Sequence, residues 1–469
     1  MQRIGLSVFA VLICVGTIVS AQTQVPATSS LPALGQVGDL TCAADATESY
    51  ALYLPSTYTP AKRWPIIYFF DPGAHGHRPV EAYKDLAEKY GFIFAGSNNS
   101  RNFSSTQSKS VNAVWIDTHE RLALDEHRQY ASGFSGGARV AGAMGFSCPN
   151  CGIAGIIAHG AGYPSNHTPK DNLLYFFAVG DQDFNWPEVI MVRREREDHG
   201  LPYRVRVYPG EHQWAPAAIM EDAMQWLMLK AMQAGSLTPD PAFIDRMFQQ
   251  TQSEADDAEK KNDAIGQIDA YRSLVDDFAG LKDTKDAASR LASWKQSPAL
   301  KAALKAEQEQ INAQIAIERE ISPKLRAYTN RTVDDLRSLR IEIVQAMAGL
   351  RDQAKNSKSD SKRLIFARAY GDMWVEGMEN GQQEFEAKHY ENAEFCFDLM
   401  RQISDDPWPV LLLAETHAAQ GSKKQAIKDL QEAVRRGIKD PAILESDKKL
   451  GSLTTEAEFQ KIVAGLKNK

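Results

Sequence analysis

A chain of 469 residues is too long for one ordinary domain and points to two or three. Its net charge of −7, with no long basic block, argues against a nucleic-acid partner. Hydrophobic content of 43% and charged content of 24% are those of a globular protein.

The first stretch has the pattern of a secretory signal peptide. Arg3 supplies a positive start, residues 4–19 are almost wholly apolar or small, and Val19-Ser20-Ala21 forms a small-residue cleavage site before Gln22. The run is short for a membrane span and no charged stop follows it. Residues 1–21 are therefore expected to be removed on export, leaving a secreted or periplasmic chain without a membrane span. Cys14 follows Ile13 rather than a small residue, which argues against a lipid-attachment site. Export permits disulfides. Cys148-Pro149-Asn150-Cys151 suggests either a local bridge or a link from Cys42 to one of the pair. Cys396 lies on an amphipathic helical pattern and is expected to be a buried thiol.

Residues 22–40, with Pro26, Pro32 and Gly35, read as a flexible leader. A strand is expected at 50–55. The continuous apolar run at 64–70 predicts a strand buried on both faces. A helix at 80–90, a strand at 92–96, a helix at 115–124, a strand at 129–133 and a helix at 138–146 follow. Strands at 153–158, 173–179 and 203–208 and a helix at 217–232 complete the unit. This alternation predicts an α/β fold over residues 41–235, a mainly parallel sheet with helices on both faces.

Gly235-Ser236-Leu237-Thr238-Pro239-Asp240-Pro241 reads as a linker. Beyond it, residues 242–469 show helical periodicity and no convincing strand. Long helices are expected over 299–352, interrupted near Pro323, with a polar break at 356–362. Near 375–440, Leu413, Ala414, His417, Gly421, Ala426, Leu430 and Ala433 fall at the spacing of one helix-turn-helix repeat of about 34 residues. Tyr390, Ala393 and Phe397 fit the second helix of the repeat before it. This stretch resembles tetratricopeptide repeats, which implies an interaction role and a protein partner.

The chemistry-bearing motif is Gly133-Phe134-Ser135-Gly136-Gly137, a G-x-S-x-G at the end of an apolar run. A serine at a strand-to-helix turn takes a strained backbone, and the residues two before and two after it crowd each other. A serine hydroxyl also needs an imidazole to take its proton and a carboxylate to orient that imidazole. The acid is expected after the 173–179 strand, where Asp183 stands three residues past Gly180 and Asp181 competes with it. The histidine is expected after the last strand, where His212 follows Tyr208-Pro209-Gly210-Glu211. His159 follows a strand one too early, and His199 lies in a polar stretch. Gly136 offers one backbone N–H to an oxyanion; the loop Asp71-Pro72-Gly73-Ala74-His75-Gly76 offers the second, from Gly73 or Ala74. Phe134, His75 and Trp214 are candidate substrate contacts.

These motifs resemble the α/β-hydrolase superfamily over residues 41–234, within its branch of secreted polyhydroxybutyrate-depolymerase-like and feruloyl-esterase-like enzymes. The stretch Gly210-x-His212-x-Trp214-x-Pro216 is similar to that branch's histidine loop. The resemblance implies two-step acyl transfer on a small-molecule or polymer-linked carboxylic ester, with no metal and no cofactor. The loop opening Asp71-Pro72-Gly73 replaces the branch's usual His-Gly start, and no insertion is long enough for a lid, which leaves the helical half to cover the site. Two other readings stand beside this one. The first is a serine peptidase of prolyl-oligopeptidase type, for which no peptide-terminus motif is evident. The second is a non-catalytic hydrolase-like scaffold acting through its repeats, against which the intact Ser–Asp–His order argues.

Overall fold

The computed structural model describes residues 30–147, 151–164 and 173–468. The expected signal segment and Cys148 lie outside them. Eight strands form one sheet in the order β1-β2-β4-β3-β5-β6-β7-β8. They are β1 (Val37–Thr41), β2 (Ser49–Tyr53), β3 (Trp64–Phe70), β4 (Ile93–Ser97), β5 (Leu124–Phe134), β6 (Ile153–His159), β7 (Leu174–Gly180) and β8 (Tyr203–Tyr208). β2 runs antiparallel to both β1 and β4, and the pairs from β4 to β8 are all parallel. This is the α/β-hydrolase arrangement.

Four helices, α1 (His77–Tyr90), α2 (Gln107–Arg121), α3 (Gly136–Ser147) and α4 (Trp186–Asp198), lie between strands, and α5 (Ala217–Gln233) follows β8. β3 shows why the sheet needs cover on both sides. Alternate residues point to opposite faces, and every residue of β3 is buried. Trp64, Ile66, Tyr68 and Phe70 enter one core with Val114 of α2, Met144 of α3 and Ile190 of α4. Ile67 and Phe69 enter the other with Val80 and Tyr83 of α1 and Met224 of α5.

Three sequence expectations change here. Residues 37–40, read as the end of the flexible leader, join Thr41 in β1: register pairing from Val37↔Tyr53 to Thr41↔Ser49 satisfies a segment whose Gly38 and Asp39 carry no strand signal of their own. The helix expected at 115–124 ends at Arg121, because Leu122 is extended and Leu124 opens β5. Buried Leu122 and Leu124 serve the two-residue period of a strand. Cys42 is a buried free thiol while Cys151 is disulfide-bonded, which excludes a Cys42 bridge; Cys396 is free and buried, as expected.

The rest of the described chain is helical: α6 (Pro241–Lys260), α7 (Ala264–Asp277), α8 (Lys285–Lys295), α9 (Pro298–Thr329), α10 (Leu336–Asn356), α11 (Asp360–Glu386), α12 (Tyr390–Ile403), α13 (Trp408–Ala419), α14 (Lys423–Arg436), α15 (Pro441–Glu445), a 3-10 turn at Lys448–Leu453 and α16 (Ala457–Lys467). α9 continues through Pro323 instead of breaking there. Pro323 and Arg319 both lie on its exposed side, where water can take the carbonyl that the missing N–H leaves free. Among the described residues, no helix is long and apolar enough to cross a membrane.

The helices dock directly on the sheet unit. Ile311 of α9 joins the core beneath β3. Trp226 of α5 donates its indole N–H to Asp277 of α7 at 2.9 Å, both buried. Arg193 and Arg194 of α4 meet Glu307 of α9 at 2.6 and 2.8 Å. Arg206 of β8 meets Glu254 of α6 at 2.9 Å.

Candidate active site

Ser135 stands between β5 and α3 with φ +54, a left-handed conformation that costs a side-chain-bearing residue about 1–3 kcal/mol. Its N–H donates to the carbonyl of His159 at the end of β6 (2.9 Å), which ties the turn to the neighbouring strand. The two flanking glycines are a packing necessity. A Cβ on Gly133 would fall 2.2 Å from the Gly137 carbonyl oxygen, and one on Gly137 would fall 2.0 Å from the Phe70 carbonyl oxygen.

His212 comes from the loop after β8. Its Nδ1 lies 2.8 Å from Asp183 Oδ1, and Asp183 is fully buried. The Asn185 N–H also donates to Asp183 Oδ1 (2.9 Å). Asp181 has different work: its carboxylate accepts the Gly210 N–H at 3.0 Å, which braces the histidine loop. The structure thus brings Asp183, and not its competitor, to the imidazole. The His212 ring sits between Phe134 and Phe184, with centroids 4.5 and 4.2 Å away. Among the described residues, no hydrogen bond joins Ser135 Oγ to this ring. Such bonds often tighten only when substrate binds.

The loop after β3 differs from expectation. The Gly73 N–H donates to Asp71 Oδ1 (2.9 Å) and the Ala74 N–H to the Asp71 carbonyl (3.0 Å), so both proposed oxyanion donors are engaged within the loop. Asp71 organises this region. Its other oxygen accepts the Trp214 indole N–H at 2.9 Å. Burial works against the Asp71 carboxylate, yet hydrogen bonds from His75, Trp214 and Gly73 hold its pKa below the ordinary value. His75 is exposed and bonded to Asp71, and the Trp214 ring packs among Phe69, Tyr83, Phe134 and His159. Both are structural partners of the loop in this conformation. His159 is fully buried, which pushes its pKa down to about 3 and keeps it neutral.

Ser135 and Gly136 open onto a cavity of about 680 Å³. The sheet unit contributes Asn102, Phe103, Arg139 and Phe184 to its wall. The opposite wall comes from α9 and α11, through Ser322, Arg326, Asp372, Glu376, Glu379 and Asn380. The same helices grip the loop that carries Asp183: Gln314 of α9 donates to the Phe184 carbonyl (2.9 Å) and Arg368 of α11 to the Asp181 carbonyl (2.6 Å). Arg368 also stacks over Trp186 at 3.7 Å. Burial lowers its pKa to about 10, against the pull of Asp181 and Asp183, so it remains charged near neutrality.

The sequence reading missed Asn102 and every residue from α9 and α11. In the loop after β4, Asn98 bonds to Asp39 and Arg101 pairs with Glu386. Nothing in the helical sequence marks which face meets the cavity.

No protein-family model matches this chain, and no curated protein does. Among solved structures it is similar to the fluorophosphonate-binding serine hydrolase F of Staphylococcus aureus, at 12% identity over 38% of this chain and 92% of that one, with a TM-score of 0.32. It is similar to esterase 2 of Thermogutta terrifontis, at 14% identity over 45% of this chain and 98% of that one, with a TM-score of 0.36. It is also similar to an S-formylglutathione hydrolase from Agrobacterium tumefaciens, at 12% identity over 38% and 88% of the two chains, with a TM-score of 0.32. At this level of similarity none of them bears on what the chain does.

Proposed function

We propose that this chain is an exported serine hydrolase that cleaves carboxylic esters through Ser135, His212 and Asp183. The observation that carries the reading is the pairing of buried Asp183 with His212 beside a strained, cavity-facing Ser135. In this reading Asp183 holds the imidazole in the tautomer whose Nε2 accepts a proton. Ser135 Oγ attacks the ester carbonyl as His212 takes its proton. His212 then protonates the departing alcohol, and water repeats the sequence to release the acid. Residues 41–235 act as the catalytic unit and residues 242–469 as an all-α unit that walls the site.

The tetratricopeptide-like reading of 375–440 is proposed with it. It is supported by the α13–α14 hairpin, in which Gly421 turns at φ +77 and Ala414, Ala426 and Ala433 are fully buried. Such a hairpin offers a protein partner a surface away from the cavity.

The test is hydrolysis of 4-nitrophenyl acetate by the mature protein beside Ser135→Ala. Turnover in the first and a loss of about 10⁴-fold or more in the second is expected. A non-catalytic scaffold is the second reading, favoured by the engagement of both Gly73 and Ala74 N–H groups within their loop. Absence of turnover in both proteins, together with no fluorophosphonate labelling at Ser135, would establish that reading instead.

A further inference from the structure

We propose that the side-chain amide of Asn102 supplies the second oxyanion donor and that Glu379, from the helical half, positions it; the inference rests on the serine-hydrolase reading above. Gly136 offers the first backbone N–H, at the start of α3. In the loop after β3, Pro72 lacks an N–H and those of Gly73, Ala74 and His75 are engaged with Asp71 in this conformation. An oxyanion held by one donor alone loses much of the stabilisation that drives acyl transfer.

Asn102 lines the cavity onto which Ser135 and Gly136 open. Its carboxamide lies against Gly136 so closely that a Cβ there would fall 1.8 Å from Oδ1 and 2.8 Å from Nδ2. That contact gives Gly136 a reason to be glycine separate from backbone strain. The backbone of Asn102 is stitched to the loop after β3: its N–H donates to the Pro72 carbonyl at 2.9 Å, and Arg101 pairs with Gly73 in an antiparallel bridge. The residue that follows, Phe103, is held at φ +61 and is largely exposed at the cavity.

The amide is also oriented. Nδ2 donates one hydrogen to Glu379 Oε1 at 3.4 Å, and Glu379 lines the same cavity as Ser135. A carboxamide nitrogen carries two hydrogens, so the second remains for a ligand. Burial raises the Glu379 pKa, while the Asn102 bond, His212 and Arg139 act to lower it. A carboxyl with reduced charge opposes a nearby oxyanion less than a fully ionised one does.

The step balances without a co-reactant. Ser135 Oγ forms a bond to the carbonyl carbon, the C=O π pair moves onto oxygen, and His212 receives the serine proton. The oxyanion accepts hydrogen bonds from Gly136 N–H and Asn102 Nδ2–H. When the pair returns, the bond to the leaving alkoxide breaks and His212 gives it the proton.

The experiment measures 4-nitrophenyl acetate turnover and inhibition by a simple boronic acid, which forms a tetrahedral adduct on the serine. Wild type, Ser135→Ala, Asn102→Ala and the uncharged Asn102→Leu are compared. Losing one side-chain donor is expected to lower kcat by about 10²–10³-fold with little change in KM, and to weaken the boronic acid by a similar factor. Asn102→Leu keeps similar volume without the donor and without adding a charge, so it carries the test if Asn102→Ala fails to fold. For Glu379, kcat should fall in Glu379→Ala and return in Glu379→Gln, whose carbonyl still accepts from Asn102. A wild-type protein that turns over, a dead Ser135→Ala and an Asn102 variant with unchanged or increased kcat would overturn the inference alone. Equal inactivity of wild type and Ser135→Ala would overturn the hydrolase reading, and this inference with it.

Discussion

At the elbow, five consecutive residues do everything. Gly133 and Gly137 make the close approach, Ser135 takes the strained φ and Gly136 begins the helix. Across the cavity the contacts to the sheet unit are long-range: Glu379 meets Asn102 from 277 positions away, and Gln314 reaches the carbonyl of Phe184 from 130. The elbow depends on short-range backbone geometry, which one substitution destroys. The facing wall depends on helices docking in the right register, so its support is spread over several contacts. The two regions should therefore respond to mutation on different scales.

The largest effect should fall on the sheet side. Asp183→Asn removes the buried acceptor that fixes the His212 tautomer and is expected to lower kcat by about 10³–10⁴-fold. Asp181→Asn, two residues away, loses only a brace on the Gly210 N–H and should cost less than about tenfold. Steady-state kinetics on one chromogenic ester separates them; equal losses would mean that the 181–183 loop works as one brace, with no dedicated acid.

An intermediate effect is expected where the two regions meet. Arg368→Ala strips the stack from Trp186 and leaves the Asp181 carbonyl unpaired. It should cost about 2–4 kcal/mol of stability, read as a fall of several degrees in Tm, with a smaller kcat loss than Asp183→Asn. A variant with unchanged Tm and kcat would show that α11 does not support the acid-bearing loop.

The smallest effect belongs to the helical wall alone. Asp372 is pushed up to about 7, first by burial and then by Glu318 of α9 and Glu376 and Glu379 of α11, with Arg326 of α9 opposing them. The folded protein therefore holds a proton there that the unfolded chain releases nearer pH 4. Stability from this site is complete below the unfolded value and is lost as pH rises through about 7. Tm should fall between about pH 4 and 7 in the wild type and fall less in Asp372→Asn. Parallel Tm curves for the two proteins would remove Asp372 as a source of pH dependence.

The sheet was largely legible because its strands carry continuous apolar runs bounded by turns, and β3 and β8 match their expected ranges. β1 was not, since Val37–Thr41 becomes a strand only through pairing with β2. The break expected at Pro323 did not occur, because its carbonyl partner faces solvent, a fact of docking and not of sequence.

By itself the sequence marked the elbow, the candidate order Ser135, Asp183, His212, and the change from α/β to all-α character near residue 240. These depend on residue type at short spacing, where backbone sterics and hydrophobic period act. Only the tertiary structure chose Asp183 over Asp181, engaged the Gly73 and Ala74 N–H groups inside their loop, and placed Asn102 and Glu379 beside Ser135. Those outcomes turn on hydrogen-bond directions and on the register of packed helices, which are set between segments distant in the chain.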